Sequence, residues 1–152
     1  MSQGNGKNLF GDHVQIDLDQ PNTIKTFGAE IETMEDGFAR IKYRYRREWC
    51  NPRGTIQGGM YSVFLDEAMG YALMGKFPKF DTLWTTTSMT VNLLRPIDGG
   101  DFYAEGRVVR AGRRAIYTEG EVLTAQGKSV ARASANFLVI QSPEPGEPGQ
   151  TG

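Results

Sequence analysis

Residues 58–75, GGMYSVFLDEAMGYALMG, read as a helix that is apolar on almost every side. No other segment constrains the fold as strongly, because a helix without a polar face must be covered nearly all round. Gly75 and Pro78 supply its stop signals. The segments around it carry a period of two instead. Ala39, Ile41, Tyr43 and Tyr45 alternate with Arg40, Lys42, Arg44 and Arg46, and EDG at 35–37 is a turn signal. Strands near 27–34 and 38–47 are therefore expected to form a hairpin. HVQIDLDQ permits a further short strand through Val14, Ile16 and Leu18, ended by QPN at 20–22.

Beyond the helix, TTTSMTVNLLRP alternates Met89, Val91 and Leu93. DFYAEGRVVRAG and RAIYTEGEVLTAQG follow turns, and KSVARASANFLVI places Ser129, Ala131, Ala133, Ala135, Phe137 and Val139 on one face. The short turns between these runs predict an antiparallel meander. The expected class is α+β, with one sheet of five to six strands curled around a single helix. Glycine and alanine in the late strands suit such close wrapping. At 152 residues the chain is one domain with one core. Residues 1–20 read as a partly ordered extension, 21–140 as the folded domain, and the Pro/Gly-rich 141–152 as a disordered tail.

Bulk charge and rare residues narrow the chemistry. Lys plus Arg is 17 and Asp plus Glu is 18, a net charge of −1, which argues against nucleic-acid binding through phosphates. The single cysteine, Cys50, forbids an internal disulfide and fits a reducing cytoplasm. The single histidine, His13, lies outside any motif, so a Cys/His metal site is not expected, and a serine or cysteine triad would have to recruit it. MSQGNGKNLF has no apolar run for a signal peptide, and no segment reaches the roughly 20 apolar residues of a membrane span. Acid-base or nucleophilic work falls to carboxylates.

Two carboxylates stand in the middle of the apolar helix. At 100° per residue Gly59, Ser62, Asp66 and Gly70 fall on one side, and Glu67 points about 100° away. Asp66 in such a setting is either half of a structural pair, with an arginine or backbone amides from a neighbouring strand, or a reagent. Upstream, TIQGGM places glycines at the helix start, where unpaired N–H groups and the positive end of the macrodipole can stabilise negative charge on a carbonyl oxygen. Arg95 and the RAGRR run with Arg110, Arg113 and Arg114 are candidates to hold phosphates. Tyr61, Met69, Tyr71 and Met74 read as core more than as ligand pocket, and Phe80 and Trp84 as a possible rim.

NPRGTIQGGMYSVFLDEA, with the strand ending LLRP and the hairpin VVRAGRR, resembles the hotdog-fold acyl-CoA thioesterases of the phenylacetate-degradation (PaaI-like) type. The similarity covers roughly residues 27 to 140. The family pattern is an Asn, then His-Gly-Gly, then an acid seven residues after the second glycine; Asn51, Gly58, Gly59 and Asp66 match it, while Gln57 replaces the histidine. Gln57 can donate a hydrogen bond but cannot shuttle a proton near neutral pH. The resemblance implies a hotdog fold over 21–140 and a homodimer or homotetramer with sites at the dimer interface. It implies hydrolysis of an acyl-CoA, as substrate and without cofactor or metal, to a free acid and CoA. In that reading the Gly58 amide holds the carbonyl, and Asp66 acts as general base or nucleophile. Gln57 orients the carbonyl, Asn51 positions water or the thiol, and Thr86 contacts the water. Gly59, Glu67, Arg95, Arg110, Arg113 and Arg114 are the substrate-binding candidates. An acyl-CoA-binding protein without catalysis is the alternative, with a hotdog hydratase or dehydratase behind it.

Overall fold

The computed structural model describes residues 6–7, 13–14, 19–79 and 82–141. The chain runs β1 (Gly6–Lys7), β2 (His13–Val14), α1 (Thr23–Phe27), β3 (Glu30–Glu35), β4 (Phe38–Arg44), a 3₁₀ turn (Arg47–Trp49), α2 (Gly58–Lys76), β5 (Leu83–Leu93), β6 (Asp101–Ala111), β7 (Ala115–Thr124) and β8 (Ser129–Gln141). Strands β3 to β8 form one antiparallel sheet in the order β3-β4-β6-β7-β8-β5, and α2 packs on it. This is the hotdog architecture, with six strands. Strands β1 and β2 pair separately. Most of the extension expected over 1–20, nearly all of the tail expected over 141–152, and Phe80 lie outside the described residues.

Three expectations need correction. The first strand does not begin near residue 27, because 23–27 is a helical turn. Asn22 caps it by accepting from the Lys25 N–H, and Gly28 ends it at φ 60°. The second strand ends at Arg44, before the 3₁₀ turn, and not at 47. The four late strands are not a simple meander. β6, β7 and β8 are successive neighbours, but β5 pairs with β8 at the far edge, and β6 returns to pair with β4. Alternation marks a strand without saying which neighbour it will take. Here α2 carries the chain from β4 across the sheet before β5 begins.

The core is built on Phe64. Its ring lies within 6.3 Å, centroid to centroid, of Phe27, Tyr43, Trp49, Tyr61 and Phe102, in edge-on or tilted arrangements typical of aromatic clusters. Leu65, Ala68, Met69, Ala72 and Leu73 complete the buried side of α2. A glycine explains how closely the sheet wraps. A Cβ on Gly106 of β6 would sit 2.2 Å from the Ala68 carbonyl oxygen, so only a residue without a side chain lets helix backbone and sheet meet. Ala131, Ala133, Ala135 and Phe137 are buried along the inner face of β8, as their alternation predicts. Among the described residues no helix is long and apolar enough to cross a membrane.

Candidate active site

The loop before α2 is tightly self-bonded. Asn51 Oδ1 accepts from the Arg53 N–H at 2.9 Å, its Nδ2 donates to Thr55 Oγ1 at 2.9 Å, and the Gln57 N–H donates to the Trp49 carbonyl at 2.9 Å. Gln57 is the N-cap of α2, and its Oε1 accepts from the Gly59 N–H at 2.8 Å. The Met60 N–H is taken by the Gln57 carbonyl. Among the described residues no acceptor meets the Gly58 N–H, which is left at the positive end of a 19-residue helix. Leu93 lies beside it, its Cδ1 3.0 Å from where a Gly58 Cβ would be.

Two turns along the helix, Asp66 faces β5. Thr86 Oγ1 donates to its Oδ1 at 2.8 Å. Among the described residues Asp66 makes no ion pair, and its Oδ2 has no hydrogen-bond partner. The salt-bridge alternative for Asp66 is therefore absent from this structure. The carboxylate is half-buried at the seam between α2 and an edge strand. A carboxylate held by one hydroxyl, with its second oxygen open, can accept a proton from a bound water or attack an electrophile.

Glu67 occupies a different environment. Tyr43 Oη donates to its Oε2 at 2.5 Å, while Oε1 is buried without a hydrogen-bond partner. Burial raises the Tyr43 phenol well above its ordinary value, and the neighbouring Glu67 charge raises it further. Tyr71 is shifted up by the same two causes in the same order. Glu67 thus faces the β4 side of the core, not the seam with β5.

The structure does not gather all the candidates. Gly58 and Asp66 are eight residues apart on one helix, about 12 Å by helical rise. The side chain of Asn51 is spent at both ends within its own loop. Arg95 lies past the Gly58 end of β5 and donates its Nε to the Ser129 carbonyl at 3.0 Å. Arg110, Arg113 and Arg114 belong to the β6–β7 hairpin at the other end, with Ala115 in register with Leu138 and Leu138 with Thr85. From Thr85 to Arg95 an extended chain covers about 33 Å. Arg110 borders an outer-face hollow of about 350 Å³ with Tyr117 and Asn136. A cleft of about 430 Å³ also opens on the outer face, among Glu105, Arg107, Glu119 and Arg132, away from every candidate. Tyr61 and Met69 are core, as expected.

Two apolar features stand at the seam. Leu93 and Leu94 are 53% and 55% exposed at the helix entrance, which nothing in the sequence marks. Trp84, read from the sequence as a rim residue, packs against Phe77, ring centroids 6.1 Å apart, beyond the C-terminal end of α2.

The chain is similar to known proteins in sequence and in fold. A protein of Saccharolobus solfataricus that carries a provisional esterase name is 26% identical over 139 residues, 89% of this chain and 91% of its own length. The PaaI protein of Escherichia coli, from the phenylacetic acid degradation operon, superposes with a TM-score of 0.72 at 23% identity, covering 78% of this chain and 84% of that one. A hypothetical thioesterase protein of Streptococcus pneumoniae, solved with coenzyme A, superposes with a TM-score of 0.69 at 20% identity, covering 75% and 90%. The family model for the thioesterase superfamily matches residues 53–131, a span that holds Gly58, Asp66 and Thr86. Because that match covers more than half of the 152 residues, this chain belongs to the thioesterase superfamily.

Proposed function

We propose that this protein hydrolyses acyl-CoA thioesters to a free acid and CoA, with Asp66 as the reacting acid. The observation that carries the reading is the Asp66 carboxylate itself: oriented by Thr86 at 2.8 Å, unpaired with any described cation, and open at Oδ2. Water held by Oδ2 attacks the thioester carbon and gives its proton to the carboxylate. The carbonyl oxygen becomes an oxyanion that the Gly58 N–H stabilises. Collapse breaks the carbon–sulfur bond, and the thiolate of CoA leaves with the proton from Asp66. In the nucleophilic variant Oδ2 itself attacks, giving a mixed anhydride that water then opens. The loss of one such amide donor typically costs about 2.7–4 kcal/mol of transition-state stabilisation.

A thioester carbon must lie within about 3–3.5 Å of the attacking atom and beside the oxyanion donor. The 12 Å or so of helical rise between Gly58 and Asp66 favours an amide supplied by a second copy. The exposed edge strand β5, with Leu93 and Leu94 at the helix entrance, is the surface that pairs. Arg95 and the hairpin arginines are proposed to bind the CoA phosphates once two copies pair. The coenzyme A bound to the Streptococcus pneumoniae neighbour supports a CoA ester as substrate.

The test is Asp66→Asn, which keeps the shape and an acceptor for Thr86. Release of thiol from a panel of acyl-CoAs should fall by about 10²- to 10⁴-fold. Turnover at the wild-type rate would remove Asp66 from the mechanism. A second reading, an acyl-CoA-binding protein without turnover, is favoured by Gln57. That side chain serves as a helix cap and cannot move a proton. Calorimetric binding of CoA esters with no thiol release across the panel would establish it instead.

A further inference from the structure

The four glycines of α2 do not share one reason to be glycine. A Cβ at Gly75 would lie 2.8 Å from the Glu35 amide nitrogen of β3. One at Gly58 would lie 3.0 Å from Leu93 Cδ1, and one at Gly59 3.0 Å from Gln57 Oε1. At Gly70 a Cβ would meet no atom of the described residues within 4 Å. Glycine inside a helix costs roughly 0.5–1 kcal/mol relative to alanine. The packing of this chain accounts for the other three but not for Gly70.

Gly70 lies close to Asp66. It follows Asp66 by one turn, on the same side of α2 and about 6 Å further along the axis. Strand β5 runs back alongside the helix and meets it at two levels, with a third contact at the residue that follows it. Leu93 sits at Gly58, Thr86 bonds to Asp66, and Trp84 packs on Phe77. Trp84 and Thr86 are two residues apart with unbroken register between them, so they share a face and lie about 6–7 Å apart. Gly70 therefore stands in space that no described atom fills within 4 Å, between the level of the Asp66–Thr86 bond and that of the Trp84–Phe77 contact. The first level is polar and the second aromatic.

We propose that Gly70 is the residue that sets how long an acyl group this protein accepts. The acyl moiety leaves the reacting carbon at Asp66, crosses the helix over Gly70, and ends against Trp84 and Phe77. The walls suit an uncharged acyl group. This assignment rests on the reading of Asp66 as the reacting acid.

The experiment compares wild type, Gly70→Ala and Gly70→Leu on straight-chain acyl-CoAs from acetyl to dodecanoyl. Binding of the matching non-hydrolysable thioethers is measured by calorimetry, with melting temperature and oligomeric state for each protein. Gly70→Ala should melt higher than wild type, since it relieves the glycine cost in open space. Gly70→Leu should lower the ratio of octanoyl-CoA to acetyl-CoA kcat/KM by about 10²-fold or more, because several methylenes lose their place and each is worth about 10-fold or more. Gly70→Ala should move the same ratio in the same direction by less. A folded Gly70→Leu with an unchanged chain-length profile overturns the assignment. So does a Gly70→Leu that splits the oligomer without changing the thioether profile, which would give the space to a second copy. If wild type hydrolyses nothing yet binds thioethers up to a length that Gly70→Leu shortens, the acyl path stands and Asp66 as a reagent falls. A wild type that neither binds nor hydrolyses any of the series defeats both.

Discussion

Asp66 and Glu67 are adjacent in α2, yet Thr86 of β5 reaches the first at 2.8 Å and Tyr43 of β4 the second at 2.5 Å. The 100° step of the helix turns one carboxylate to the seam at the sheet edge and the other toward the core. Two acids that look alike in the chain thus acquire different work. The open one can meet a ligand, and the closed one is part of the packing between helix and sheet.

In the proposed mechanism Thr86 orients the Asp66 carboxylate without taking part in bond making. Thr86→Val keeps the volume and removes the hydroxyl, so a hydrogen bond to a charged group, worth roughly 1.5–3 kcal/mol, is lost. Thiol release should fall about 10- to 150-fold, less than the loss from Asp66→Asn. Steady-state kinetics on the best acyl-CoA, with circular dichroism as the control for folding, checks this ordering.

Tyr43 should matter to stability and not to turnover. In Tyr43→Phe the Glu67 carboxylate loses its one hydrogen bond in a buried setting, at a cost of about 1–3 kcal/mol. Pairing that change with Glu67→Met removes the orphaned carboxylate and should recover much of the loss. Urea unfolding of the two single variants and the double variant gives the coupling directly. An additive cycle would mean that the two groups do not interact.

Alkaline pH should unfold the protein more readily than a count of exposed phenols suggests. Burial raises Tyr43, Tyr61 and Tyr71, and the Glu67 charge adds to the shift of Tyr43 and Tyr71. An unfolded tyrosine releases its proton near pH 10, while these three hold theirs in the native state. Their contribution is intact below about pH 10 and is lost as pH rises above it, by up to about 1.4 kcal/mol per pH unit for each phenol. Urea titrations at successive pH values above 10 should show that decline. Tyr71→Phe, which removes a phenol without a described hydrogen bond, should flatten it.

Gln57 has a structural task as the cap of α2, whatever its part in the proposed site. Gln57→Ala removes the cap on the Gly59 N–H and should cost about 0.5–2 kcal/mol. Gln57→His should stay folded, keep its oligomeric state and change the rate only modestly, because Asp66 retains its role. Chemical denaturation and size-exclusion chromatography with light scattering measure the first two outcomes. Loss of the oligomer in Gln57→His would place residue 57 in the subunit contact and not in the pocket.

Much of the fold could be read along the chain because its signals are local. Alternation at 39–45 and 131–137 marks inward faces, and the apolar run from Met60 to Leu73 marks a helix with its ends near Gly58 and Lys76. Helical spacing also puts Asp66 two turns from the Gly58 amide. The turn at 23–27 is not legible in the sequence, because one capping asparagine and one glycine at positive φ are weak signals beside a strand pattern. The arginines illustrate the opposite limit: Arg95 and Arg110 read alike as basic residues near turns, yet lie at opposite ends of the sheet.

The sequence by itself determined the main strands, the single central helix and the motif Gly58, Gly59, Asp66, since periodicity and residue chemistry act over a few neighbours. Tertiary structure alone decided that β5 lies at the edge beside β8, that Thr86 and not an arginine meets Asp66, that Glu67 is closed off by Tyr43, and that open space remains at Gly70. Each of these joins residues 20 or more positions apart, or concerns an emptiness between elements. Such relations arise only when a whole sheet has chosen its strand order around the helix.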